Sequence, residues 1–297
     1  MITALPPDNY PAVARTGPKR TKDMHSSEIW LRSRLRALGV TRLIGARHEL
    51  RAWADRQRYR RARPRAVTIG FGDVRASMGV DDEAEYGIIV SKREDYRLMG
   101  ALAASLAPGD VFWDVGANIG FYSLLGAAIV GRGGRVVAFE PEPTSRARLE
   151  DNLARNAFDQ VLVKPVALGR ERATLGLEIA SRASAGVHRL VGASGPGLDG
   201  GRVDVEVWPG DAVVAAGAPA PTAIKIDVEG FELDVLAGLT DTLAAPSCRA
   251  VLVEVHFALL EARGLPYGAL EVEERLAAAG FGERRWLDRS HLLARKR

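Results

Sequence analysis

The sequence predicts an α/β fold with a mostly parallel sheet covered by helices on both faces, and three observations carry that expectation. Apolar runs of strand length alternate with helix-length segments from Val111 to Ala279, and such alternation favours parallel pairing through right-handed crossovers. The best-organised stretch, Val111 to Phe139, reads as a βαβ unit with a glycine-rich loop after its first strand. Third, 297 residues with 47% hydrophobic and 26% charged side chains suffice for a large buried core, which sets aside global disorder, a collagen-like fibre and a coiled coil.

The elements follow in order. Residues 1–66 hold 16 Lys and Arg against 5 Asp and Glu, a net of +11, which leaves −7 on the remaining residues. Within them Ile29, Leu31, Leu35, Leu38, Leu43, Leu50 and Trp53 recur at roughly helical spacing. This predicts a basic helical N-terminal extension of two amphipathic helices, ended by Pro64. The main domain is expected over 67–297. AVTIGFGDVRASM and YGIIV concentrate β-formers and suggest a small strand layer at its start. Val111–Val115 is the first core strand and Phe121–Val130 the helix after it, stopped by Gly131, Gly133 and Gly134. Arg135–Phe139 is the second strand, a helix from about Thr144 to Asn156 follows, and Val161–Leu168 is the third strand. Residues 169–221, rich in Gly, Ser, Ala and Pro, are expected to be a loop-rich insertion with one strand at Val203–Val207. Regularity resumes with a strand at Ala223–Asp227, a helix at Phe231–Leu243, a strand at Ala250–Phe257 and a helix at Tyr267–Ala279. Phe281–Trp286 and His291–Arg295 close the chain as an antiparallel hairpin.

Cys248 is the one cysteine, which excludes an internal disulfide framework and any multi-cysteine zinc site. The uncharged stretch Val115–Gly131 is shorter than a bilayer span and carries Asn118 and several glycines, so no transmembrane segment is expected. The N-terminus lacks the apolar run of a secretory signal, and a cytoplasmic location is the expectation.

Open α/β sheets bind ligands where a loop follows the carboxyl end of a strand, so the loop DVGANIGF holds the first clue to chemistry. Counted from Gly116, the second position of a dinucleotide fingerprint holds Asn118 and the third Phe121, which disfavours a diphosphate. An acidic strand end at Asp114, exposed backbone at Gly116 and Gly120, and a carboxylate after strand two at Glu140 suit a nucleoside without phosphate, and Asn118 of the same loop is counted with them around the cofactor. Carboxylates accept from both hydroxyls of a ribose. S-adenosylmethionine meets that description.

These blocks resemble the FkbM-type methyltransferases, a branch of the class I S-adenosylmethionine-dependent enzymes. The likeness runs from about Asp110 to Phe257 through VFWDVGANIGFYS, VVAFEPEP, VALG, IKIDVEGFELDVLAGL and LVEVH. It implies a seven-stranded Rossmann-like sheet with an antiparallel last strand. It also implies O-methylation of a hydroxyl on a sugar, glycan or polyketide-type natural product, so the expected partner is a small-molecule or glycan acceptor. Residues 1–66 lie outside the likeness and 169–221 match it loosely, which places substrate choice there.

Transfer of a methyl group from sulfur to a hydroxyl needs alignment and a proton acceptor. Asp227 and Glu229 follow strand four, and Glu254 and His256 share one side of the fifth strand by its period of two. All four are the acceptor-side candidates, with His256 favoured as the base because its ordinary pKa is near neutrality. Lys225, inside the strand, is expected to pair with a carboxylate. A divalent metal on Asp227, Glu229, Glu254 or His256 is conceivable and ranks below metal-free catalysis. Two alternatives are a nucleic-acid methyltransferase gripping phosphate with the basic helices and a non-catalytic nucleoside- or partner-binding module. Against the first, Asp227-Val228-Glu229-Gly230 lacks the Pro-Pro-aromatic element that stacks a flipped base. The basic helices are also candidates for peripheral contact with an anionic surface.

Overall fold

The computed structural model describes residues 53–93, 96–179, 188–190 and 201–297. Contacts divide the chain into Met1–Ala54 and Asp55–Arg297, and the fold described is that of the second unit. The helices expected before Trp53 lie outside the described residues. Residues 53–62 are helical, and Tyr59 of this helix packs against Tyr86 with ring centroids 5.6 Å apart.

A hairpin of β1 (Ala66–Phe71) and β2 (Val74–Gly79) forms its own two-stranded sheet. The YGIIV segment is not a strand but the middle of a helix, Glu83–Arg93. Its start explains the change: Asp82 accepts the Glu85 N–H, while the Glu85 carboxylate accepts the Asp81 N–H, a reciprocal cap that commits the following β-branched residues to helix. A second helix, Tyr96–Ala103, follows.

The central sheet contains β3 (Val111–Val115), β4 (Arg135–Phe139), β5 (Val161–Lys164), β10 (Ala223–Ile226), β11 (Ala250–Glu254), β12 (Glu283–Trp286) and β13 (His291–Arg295). Its order is β12-β13-β11-β10-β3-β4-β5, with β13 antiparallel to both neighbours and β3, β4, β5, β10 and β11 parallel. The expected mostly parallel, Rossmann-like sheet is thus present. Alternation sends Trp113, Val115, Val137 and Phe139 into one core layer, with the helices after β10 and β11. Phe112, Val136 and Ala138 enter the other, with Phe121–Val130 and the β1–β2 hairpin.

The third expected strand splits at Pro165, which has no N–H to donate to a ladder. Beyond it β6 (Ala167–Leu168) joins a separate four-stranded sheet with β7 (Ala173–Ile179), β8 (His188–Leu190) and β9 (Arg202–Trp208), in the order β6-β9-β7-β8. Within 169–221, β7 and β8 are further strands beside β9, which contains the expected Val203–Val207. ATLGLEI alternates with period two, Ala173, Leu175, Leu177 and Ile179 against Thr174, Gly176 and Glu178, a strand signal that the Gly- and Ser-rich surroundings outweighed in the sequence reading. The expected helix Phe231–Leu243 is two helices, Glu232–Ala237 and Thr240–Ala244. They break at Gly238, where the chain passes so close to the Gly169 carbonyl that a Cβ would lie 1.9 Å from it. The strand expected to reach Phe257 stops at Glu254, and Phe257–Ala262 is helix.

Candidate active site

The carboxyl ends of β3, β4, β10 and β11 converge on a cavity of about 270 Å³. Gly116, Asn118 and Glu140 line it, as do Asp227, Glu229 and Glu254; Leu177 and Leu190 of the smaller sheet contribute to its apolar wall.

The loop after β3 turns back at once so that the ends of β3 and β10 almost touch. Gly116 has φ +77, and a Cβ there would lie 1.9 Å from the Asp227 carbonyl oxygen. Asn118, at φ +50, donates its N–H to Glu140 Oε2 at 2.7 Å, and Glu140 Oε1 accepts the Glu142 N–H at 2.8 Å. Each Glu140 oxygen therefore keeps acceptor capacity for a ligand. Burial raises the Glu140 pKa to about 7, against the pull of those two N–H groups. Glu142 in turn caps the following helix by accepting from Thr144 and Ser145.

Two residues expected at the cofactor lie behind this surface. Asp114 is fully buried, accepts the Ser123 hydroxyl at 2.6 Å and faces Lys225 Nζ at 3.5 Å, an ion pair without a hydrogen bond. It braces the loop and does not line the cavity. Gly120 also lies off the cavity: a Cβ there would meet Leu149 Cδ1 at 2.5 Å, so the glycine serves helix packing. Lys225 pairs as expected, with Asp227 Oδ2 at 3.2 Å as well as with Asp114, and donates to the Gly116 carbonyl at 3.1 Å.

The four acceptor-side candidates form one cluster. His256 Nε2 lies 3.3 Å from Glu229 Oε2 and 3.9 Å from both Asp227 Oδ1 and Glu254 Oε1. Its Nδ1 lies 2.6 Å from Oε1 of Glu232, a fully buried carboxylate that also accepts the Gly230 N–H. Burial opposes charge on the imidazole, but the Glu232 hydrogen bond and the carboxylates around it prevail and raise its pKa to about 9. His256 is then a cation at neutral pH with no free lone pair, which does not fit the expected base. Glu229, held at φ +48, has its pKa raised to about 7 by burial, whereas neighbouring cations hold Asp227 well below the carboxylate range. One ligand atom from each of Asp227, Glu229 and His256 lies within 4.8 Å of the other two, a spacing compatible with a metal ion.

Sequence reasoning missed several neighbours. His291 bridges Glu254 Oε2 at 3.2 Å and Asp288 Oδ2 at 2.9 Å, and Lys92 reaches the cavity from the helix Glu83–Arg93. His291 sits directly opposite Glu254 in the β11–β13 register, a pairing the sequence does not print. Glu232 had a weak signal, an acidic side chain in the first turn three residues after Glu229.

A family model described as the methyltransferase FkbM domain matches residues 114–282. The chain belongs to the FkbM methyltransferase family. Among its relatives, the hexuronic acid methyltransferase AglP of Haloferax volcanii is 35% identical over 148 residues, which are 50% of this chain and 56% of that protein. The 31-O-demethyl-FK506 methyltransferase FkbM of Streptomyces tacrolimicus is 35% identical over 177 residues, covering 51% of this chain and 67% of that protein. The chain thus spans little more than half the length of the first relative. Among solved structures, the methyltransferase FkbM from Methylobacillus flagellatus KT is 18% identical with a TM-score of 0.43, over 73% of this chain and 55% of that one. In this family member no helix among the described residues is long and apolar enough to cross a membrane.

Proposed function

We propose that the protein is an S-adenosylmethionine-dependent O-methyltransferase acting on a hydroxyl of a sugar, glycan or polyketide-type natural product. The observation that carries this reading is Glu140: a buried carboxylate beside the Asn118 backbone, at one side of a cavity that continues to Asp227, Glu229 and Glu254. The residues present fit the cofactor. Glu140 has acceptor capacity for two ribose hydroxyls, Gly116 leaves the loop backbone open, and the acidic lining suits a ligand with a sulfonium and an ammonium group. When bound, that cofactor supplies an electrophilic methyl group.

The chain's own residues then position the acceptor and take its proton. Glu229, with a pKa near neutrality and a place on the cavity wall, is the proposed proton acceptor. Protonated His256 holds Glu229 and Asp227 in place, with Glu232 fixing the ring from behind. Asp227 and Glu254 accept from further acceptor hydroxyls. Lys225, His256 and His291 lie against these carboxylates, which supports a metal-free reading of the proton transfer. Names of the two relatives, one acting on a hexuronic acid and one on the 31-oxygen of FK506, support an oxygen acceptor on a sugar or polyketide. Leu177 and Leu190 on the cavity wall support a part for the smaller sheet in acceptor choice.

Calorimetry of S-adenosylmethionine binding to the wild type and to Glu140→Ala, with NAD as competitor, tests the reading. Binding that the substitution weakens about tenfold or more, and that NAD leaves alone, is expected. Binding of NAD only, or of neither, overturns it.

A further inference from the structure

The ionisable lining of the cavity is lopsided. Glu140, Asp227, Glu229 and Glu254 face it, and among the described residues Lys92 is the one cation on its wall. The two lysines near Asp227 differ sharply in how they are used. Lys225 is buried, with the Gly116 carbonyl, Asp227 and Asp114 within 3.1 to 3.5 Å of its ammonium. Lys92 is one-third exposed, and the nearest carboxylate oxygen among the described residues, Asp227 Oδ2, is 3.8 Å away, beyond hydrogen-bond reach. Both ammonium groups lie about equally far from the Tyr122 ring, at 5.1 Å for Lys225 and 5.3 Å for Lys92. Among the described residues Lys225 is thus the closer counter-ion of Asp227, and the Lys92 ammonium meets Asp227 only at ion-pair range, which leaves its N–H donors to the cavity.

Lys92 also lines a second recess of about 20 Å³ with Gly116, Asn118 and Tyr122 that Glu140 does not reach. Such a recess has room for a water-sized group. A ligand whose ribose is held by Glu140 and which passes over Gly116 brings its far end to this side of the loop. Resting on the cofactor reading above, we propose that Lys92 anchors a ligand carboxylate, that of the amino-acid end of the cofactor. The sulfonium and ammonium groups of that ligand lie in the acidic part of the cavity, and its carboxylate finds counter-charge in Lys92. The same chemistry would serve an acceptor that carries a carboxylate, and the experiment separates the two sources.

The test uses the full chain as wild type, Lys92→Met and Lys92→Arg. Calorimetry measures S-adenosylhomocysteine and 5′-methylthioadenosine, which share the nucleoside and sulfur but differ in the amino-acid end. A third titration adds glucuronate to protein saturated with S-adenosylhomocysteine. Lys92→Met is expected to weaken S-adenosylhomocysteine about tenfold or more and leave 5′-methylthioadenosine within about twofold, with Lys92→Arg recovering most of the loss. If only glucuronate binding falls, Lys92 still anchors a carboxylate, and its source is the acceptor. Equal losses for both nucleosides, or no loss in any titration, overturn the assignment. Wild type that binds neither nucleoside overturns the cofactor reading itself, and the Lys92 assignment with it.

Discussion

Glu229 and His256 are adjacent titrating groups with separated pKa values, and that separation defines their roles. A carboxylate with a pKa raised to about 7 becomes a competent proton acceptor as the pH rises through neutrality. An imidazole raised to about 9 stays cationic through the same range and loses its charge only above it. With an acceptor that turns over, kcat/KM is expected to rise through about pH 7 and fall above about pH 9. Glu229→Gln should lower kcat about a hundredfold or more and remove the acid limb. A profile in which that substitution leaves the acid limb intact would reassign the proton acceptor. The residue types of this cluster were legible in the sequence, since IDVEG and VEVH place their side chains at strand ends. The direction of each pKa was not: burial raises that of Glu229, and that of His256 depends on Glu232 at 2.6 Å, a residue assigned there only to a helix.

At the scale of elements, the site depends on how closely two loops approach. Gly116→Ala must accommodate φ +77 and a Cβ 1.9 Å from a backbone carbonyl that cannot move without shifting β10. It is expected to cost about 3 kcal/mol or more and to abolish cofactor binding. Gly120→Ala shares the positive φ, but its Cβ meets the end of the Leu149 side chain, which can rotate. It is expected to cost about 1–3 kcal/mol and to leave most of the binding intact. Urea midpoints and calorimetry on the two variants check the contrast; equal binding losses would place Gly120 at the ligand after all. The core strands and their helices could be read from the sequence because burial on both faces writes long apolar runs. The helix at Glu83–Arg93 was misread because Ile88, Ile89 and Val90 cluster at its centre, and its start signal lies in two capping carboxylates.

For the whole molecule, the same groups set the pH range of stability. Asp227, Glu254 and Asp288 have pKa values lower in the fold than in the free chain. They stabilise above the ordinary carboxylate range, and that contribution is lost as pH falls through their folded values. His256, at about 9, and His291, also raised, stabilise below the ordinary imidazole value of 6.5 and lose their contribution as pH rises through their folded values. Glu140 and Glu229, raised from 4.5 to about 7, work the other way and cost stability as pH rises between those values. Tm is therefore expected to peak on the acid side of neutrality, to drop below about pH 4 and to fall again as pH rises from about 6.5 to about 9. Scanning calorimetry across that range checks it, and His256→Gln should flatten the alkaline side. A wild-type Tm that is level from neutrality to above pH 9 would sink the assignment of a charged His256.

By itself the sequence determined the order of strands and helices in the central sheet, the loop after β3 and the acidic partners around it. Local periodicity and the chemistry of short motifs are written in neighbouring residues, so they survive without coordinates. Only the tertiary structure decided which of those residues face the cavity. It turned Asp114 and Gly120 inward, set His256 behind three carboxylates and brought Lys92 and His291 to the site from elements far apart in the chain. Exposure, counter-charge and pKa arise from contacts between distant segments, and no spacing along the chain encodes them.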